Sequence, residues 1–281
     1  MLFMPISLFT MKAHIGIALI FILSQLVAIF VVIPFKEAGF MAFENPENPF
    51  NILKIFLAII IFTIFILLIA KYKEKWIKYI ILFFFFLTSI TIFQALFYFI
   101  NRELSLILSL IISTIMLILF VKYPEWYVID FFAIFLAGGI SAIFAISIAI
   151  QYIILLLIIL AIYDLISVHK TKHMVKLAET VVTKNLPLLV IIPKKIKYSY
   201  LKSRFLDKDA VYMGLGDIII PGILISASYI EKGLIGFLST LIGAMLGFSL
   251  LMKLISKSPQ PGLPYLNGGV IISYLIIHFL L

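Results

Sequence analysis

Runs of about 20 apolar residues, separated by short polar connectors, recur along the whole chain, and that length matches the hydrocarbon thickness a helix has to cross. They fall at 15–35, 52–70, 79–100, 104–121, 127–168, 211–230, 234–255 and 263–281. The fifth does not fit a single crossing: as one helix it would extend about 63 Å at 1.5 Å per residue, twice the hydrocarbon core. A fold-back near residues 146–150 restores the normal length and predicts nine transmembrane helices. The expected fold class is therefore all-α, a polytopic helical membrane protein. Residues 1–121 hold the first four helices and residues 122–281 the last five.

Composition agrees with a life in lipid. Of 281 residues, 64% are hydrophobic and only 12% charged, against roughly 25% charged in soluble domains. The net charge of +9 does not point to nucleic acid, because the basic residues cluster in the connectors, where they report topology. With nine spans and a cytoplasmic N-terminus, 18 of the 22 lysines and arginines lie inside and four (Lys36, Lys54, Arg102, Lys232) outside. The opposite parity or orientation would put the basic loops outside. The C-terminus is then expected outside. The first run is as long as a full span and lacks a small-residue cleavage site, so it reads as a membrane helix and not as a signal peptide. Without cysteine, thiol catalysis, disulfides and Cys-ligated metals are excluded.

One connector is long. Residues 169–210 lie on the cytoplasmic side, are strongly basic, and contain an apolar island at 186–193 whose flanking prolines argue against a helix interior. The island reads either as a segment lying in the membrane interface or as a short strand able to pair with an extended substrate backbone. His169 and His173 have i, i+4 spacing, but interleaved lysines and the lack of a completing carboxylate favour a solvated face over a metal site. Gly243 and Gly247 form a Gly-x-x-x-Gly pair which, with Gly236, suits close helix packing within the chain or between protomers, so homo-oligomerisation stays open. Gln94 and Gln151 read as interhelical hydrogen-bonding residues.

A carboxylate well inside a span costs about 2.5–3.5 kcal/mol on insertion scales and usually has a partner or a task. Asp130, near the cytoplasmic end of the fifth span, reads as a solvated or helix-terminal acid. Glu103 starts the fourth span, where an acid suits the helix dipole. Asp164 and Asp217 are set deeper. Asp164 lies about 6 Å short of residue 168 and Asp217 about 9 Å past residue 211 at 1.5 Å per residue, on consecutive antiparallel helices entered from the same side. If those helices pack together, the two carboxyls come to similar depth and can share one proton, titrating as a unit. One carboxylate can then take a proton from an attacking water while its protonated partner hydrogen-bonds the peptide carbonyl. Gly214 and Gly216 let a helix or a substrate backbone approach Asp217. Spacing alone also fits a proton-relay pair in a transporter.

At these residues the chain resembles the presenilin and signal peptide peptidase family of intramembrane aspartyl proteases, and most of all a microbial member. Tyr163-Asp164 is similar to the family's Tyr-Asp motif, Gly214-Leu215-Gly216-Asp217 to its Gly-x-Gly-Asp, and Pro261-Gly262-Leu263-Pro264 to the Pro-Ala-Leu at the start of the last helix. Gly262 stands where the family has Ala. Lys122-Tyr123-Pro124-Glu125-Trp126 also resembles presenilin. The likeness runs from about residue 122 to the C-terminus. It implies that Asp164 and Asp217 are the catalytic pair, that the segment Pro261–Pro264 packs beside them, that substrates are transmembrane proteins, and that no cofactor is needed. Presenilin-like members resemble the N-inside arrangement, whereas Ile218-Ile219-Ile220-Pro221-Gly222 looks more like the oppositely oriented signal peptide peptidases. The charge count decides for N-inside, and with it for substrate spans whose N-terminus is outside. The loop at 169–210 is short for the self-cleavage seen in presenilins.

Two other readings stand beside this one. A prepilin-type peptidase also carries Gly-x-Gly-Asp but cuts at the membrane surface; Tyr163-Asp164 within a span and the Pro-Gly-Leu-Pro start of the ninth argue against it. A proton-coupled transporter would use the acids as a relay, but such folds often repeat one half in the other, and no repeat is visible. No His-Glu-x-x-His motif is present for zinc proteolysis.

Overall fold

The computed structural model describes residues 8–72, 74–98, 100–167, 189–194, 198–200, 209–255 and 260–280. His169, His173 and most of the basic loop lie outside these residues. The helices are α1 (Leu8–Ala38), α2 (Phe50–Tyr72), α3 (Glu74–Tyr98), α4 (Ser105–Lys122), α5 (Trp126–Ser147), α6 (Ile150–Ile166), α7 (Gly216–Ile255) and α8 (Leu263–Leu280). The strands β1 (Leu189–Pro193) and β2 (Ala210–Gly214) lie between α6 and α7. Among the described residues six helices are long and apolar enough to cross a membrane: α1, α3, α4, α5, α7 and α8; α6 is shorter at 17 residues.

The helix faces are arranged as lipid demands. On α1, Ile17, Phe21, Ala28, Val31 and Phe35 form a buried stripe at helical spacing, while Ile15, Leu19 and Phe30 face outward. Outward and inward faces are both apolar, so packing rather than hydrophobicity distinguishes them. The central helix is α5, packed between α1 and α7 and also touching α3, α4 and β1. Small residues allow this crowding. A methyl group at Gly138 would sit 2.5 Å from the Ser24 carbonyl oxygen on α1, and one at Gly139 would overlap Ile92 on α3.

The long fifth run does fold back where its length requires. Helix α5 ends at Ser147, Ile148 and Ala149 are extended, and α6 begins at Ile150. The turn is stitched to the α1–α2 connection: Ala42 donates its N–H to Ser147 Oγ (2.7 Å) and Ala149 donates to the Pro46 carbonyl (3.0 Å). Gln151 bonds Glu47 at the exposed edge of this turn (2.9 Å), so its partner is a connector and not another helix.

The run at 211–230 is not helical from its start. Residues Ala210–Gly214 are a strand, antiparallel to β1 with Ile191 opposite Tyr212, and α7 begins only at Gly216. Val211 and Tyr212 favour the extended chain, and β1 supplies the partner that satisfies their backbone. Among the described residues the expected all-helical fold therefore also holds one two-stranded sheet. Within α7, Gly233 takes φ 63°, ψ −148°, a conformation that glycine alone adopts readily. A methyl at Gly236 would then lie 2.7 Å from Ser228 Oγ, whereas residues eight apart in a straight helix are about 12 Å apart. The two arms of α7 thus form a hairpin, matching the expected break between 230 and 234. The second arm meets α8 backbone to backbone, with Gly243 against Gly269 and Gly247 against Tyr265. The glycine pair serves packing within the chain.

Candidate active site

Asp164 lies in the last turn of α6, at 5% exposure, and Asp217 in the first turn of α7, half-buried. They are joined through the segment that leads into α8. Leu263, the first residue of α8, donates its N–H to Asp164 Oδ2 at 3.1 Å. Its neighbour Gly262 lies against the other acid, with its Cβ position 3.3 Å from Asp217 Cγ and 3.4 Å from both carboxylate oxygens. Consecutive residues, with Cα atoms 3.8 Å apart, therefore touch both carboxyls, and the two acids are within electrostatic reach of each other. Asp217 thus lies in the first turn of α7, and Asp164, at the end of α6, meets the amide end of α8, the pole of a helix that favours an acid.

The other residues expected around the site divide by position. The Cβ position of Gly214, the last residue of β2, is 3.4 Å from Asp217 Oδ2, so the strand ends on the acid. Leu215, Pro261 and Leu263 are buried. Gly216 opens α7, and Pro264 stands in the first turn of α8, where its missing N–H costs nothing. Tyr163, by contrast, is 62% exposed.

Three polar contacts that sequence reasoning passed over hold these elements. Asn267 donates from Nδ2 to the Leu157 carbonyl (2.9 Å), fixing α8 on α6 one turn beyond Leu263. Gln25 of α1 reaches the Ile218 carbonyl (3.5 Å), and Ser141 of α5 donates to the Ile219 carbonyl (3.1 Å), both beside Asp217. Gly222 makes room for this clamp, its Cβ position being 2.6 Å from Gln25 Oε1 and from Ser141 Oγ. Buried polar residues inside apolar spans were the available signal.

Asp130 is not the solvated helix-end acid that its position suggests. It is 5% exposed and accepts the Ile191 N–H of β1 at Oδ1 (2.8 Å). Packing of β1 onto α5 removes it from water. Glu125, one turn earlier, accepts from Ser199 Oγ (2.6 Å) and the Tyr200 N–H (2.8 Å). No cluster of three or more potential metal ligands occurs among the described residues.

A family model described as signal-peptide peptidase, presenilin aspartyl protease matches residues 18–281. The chain belongs to this family. Two crystal forms of a presenilin family intramembrane aspartate protease are similar throughout. The P2 form gives a TM-score of 0.74 at 31% identity, covering 95% of this chain and 97% of that one. The C222 form gives 0.70 at 29% identity, covering 93% and 95%. No curated protein matches the chain. The protein is thus an integral, multi-pass membrane enzyme, an intramembrane aspartyl protease acting on transmembrane substrates.

Proposed function

We propose that Asp164 and Asp217 are the catalytic dyad of this protease. The observation that carries the reading is the contact of Gly262 and Leu263 with both acids at once. With one proton between them, the ionised carboxyl takes a proton from water as the water oxygen bonds the peptide carbonyl carbon. The protonated carboxyl gives its proton to the carbonyl oxygen. As the resulting diol collapses, one of its hydroxyls gives its proton to the ionised carboxyl, the C–N bond breaks, and the departing nitrogen takes a proton from the protonated carboxyl. Gly214, Gly216 and Gly262 leave room for a backbone to lie beside Asp217; Leu215, Pro261, Leu263 and Pro264 shape the surrounding wall.

A helical substrate keeps its amides bonded internally, so the scissile segment has to unwind, and its freed groups need partners. The sheet supplies them. The backbone groups of Ala210 and Gly214 face the β2 edge that ends at Asp217, and an extended substrate lying there would be carried to the acid.

Counting each arm of α7 as a crossing supports nine spans, and the charge asymmetry of 18 to four supports an N-terminus and 169–210 loop inside, a C-terminus outside, and cleavage of N-outside substrates. Residues 122–281 carry the chemistry and 1–121 the scaffold, with α1 reaching the site through Gln25. The test is cleavage of a model transmembrane substrate by the purified chain beside Asp164→Ala and Asp217→Ala. Both folded variants should form no product; cleavage surviving in either overturns the dyad.

A further inference from the structure

The two-stranded sheet has two edges, and the chain treats them differently. In an antiparallel ladder alternate residues turn their backbone groups toward the partner strand and away from it. Lys194 continues the ladder by donating to the Asp209 carbonyl (2.7 Å), so Val190 and Ile192 face β2 while Leu189, Ile191 and Pro193 face the outer edge. On that edge Pro193 has no N–H, and the Ile191 N–H is taken by Asp130 Oδ1 at 2.8 Å. A proline on the edge strand and a helix packed over the edge, here α5 against β1, are two devices by which sheets block pairing at an edge.

The cost of this arrangement argues that it has a task. Asp130 is buried in a helix of apolar residues, and among the described residues its second oxygen, Oδ2, has no hydrogen-bond partner. A group that satisfies one strand amide at that expense is retained for something other than bulk stability. With Glu125, just before α5, holding Ser199 and Tyr200 in the connection between β1 and β2, the start of α5 holds the strand and its connector at two separated points.

We infer that Asp130 is a positioning residue for proteolysis: it closes the β1 edge to substrate, directs the extended segment to the β2 edge, and fixes the register in which Gly214 delivers a peptide bond to Asp217. This rests on the sheet-pairing reading above, but it fails separately from the dyad. Loss of the dyad abolishes cleavage, whereas loss of the edge cap changes where cleavage occurs and how well substrate binds.

The experiment compares wild type, Asp130→Asn and Asp130→Leu, each as the full chain in lipid, on one model transmembrane substrate. It reads kcat and KM separately and cleavage positions by mass spectrometry. Asparagine keeps a carbonyl acceptor for Ile191 and should give the wild-type products. Leucine removes it. It should raise KM about fivefold, as expected for losing one buried hydrogen bond of about 1 kcal/mol, and add cleavage sites displaced by two residues, the strand period. A folded Asp130→Leu with wild-type KM and products overturns the inference, whatever its kcat. If Asp130→Leu does not fold, Ile191→Pro removes the donor at a position where the ladder loses no bond, and displaced products are again expected. Unchanged products from that variant, or failure of both variants to fold, would reduce Asp130 to a folding element and overturn the inference.

Discussion

Replacing Gly222 by alanine places a methyl group where the structure has no space for it. Its carbon would lie 2.6 Å from Gln25 Oε1 and Ser141 Oγ, and 3.0 Å from Gln25 Nε2. Ordinary contact needs about 3.5–4 Å, so either both side chains retreat by roughly 1 Å or α7 moves away from α1 and α5. Retreat breaks the Ser141 bond to Ile219, now 3.1 Å, and the long Gln25 bond to Ile218, now 3.5 Å. Two hydrogen bonds at about 1 kcal/mol each, with about 1–3 kcal/mol for overpacking, give a loss of roughly 3–5 kcal/mol. If α7 moves instead, Asp217, little more than a turn away, moves with it, and a displacement near 1 Å costs about 100-fold in rate. Gly222→Ala should therefore lower either the unfolding free energy in detergent or kcat by these amounts. Combining it with Gln25→Ala should recover part of the loss by vacating the space. Wild-type stability and kcat in the single variant would refute the clamp, as would a double variant no better than the single.

Two further outcomes follow from particular contacts. Gly262→Ala puts a methyl 3.3–3.4 Å from the Asp217 carboxyl, a few tenths of an ångström too close, so kcat should fall by less than about tenfold; Gly262→Val, with two more methyls, should fall by about 100-fold or more. Equal rates for the two in a cleavage assay would contradict the placement of Gly262. Burial pushes the Tyr200 phenol above its ordinary value, so the fold favours its neutral form. Its contribution to stability is full below about pH 10, the unfolded value, and is lost as pH rises through the folded one. Thermal unfolding in detergent should drop on the alkaline side of about pH 10, and Tyr200→Phe should flatten that drop; an identical alkaline profile in both would show that Tyr200 does not contribute.

Sequence alone determined the helical class, the apolar runs, a fold-back near residues 146–150, the break between 230 and 234, and a candidate pair of acids. Each of these depends on local quantities: the length of an apolar run, the bilayer thickness, the rise per residue, and the glycines at which a helix can turn. The roles proposed for Tyr163-Asp164, Gly214–Asp217 and Pro261–Pro264 rest on resemblance. Tertiary structure decided what local pattern cannot. Residues 189–193 and 210–214 each read as apolar, and only their pairing with each other, 17 to 25 residues apart in register, made them strands and moved the start of α7 to Gly216. Asp130 lies close to the end of its span and would be solvated if β1 did not cover it. Gln25 reaches Ile218 across 193 positions of sequence. In lipid both faces of a helix are apolar, so the polar pattern that marks an inner face in water is missing. Which few polar groups meet is then settled by how the helices pack.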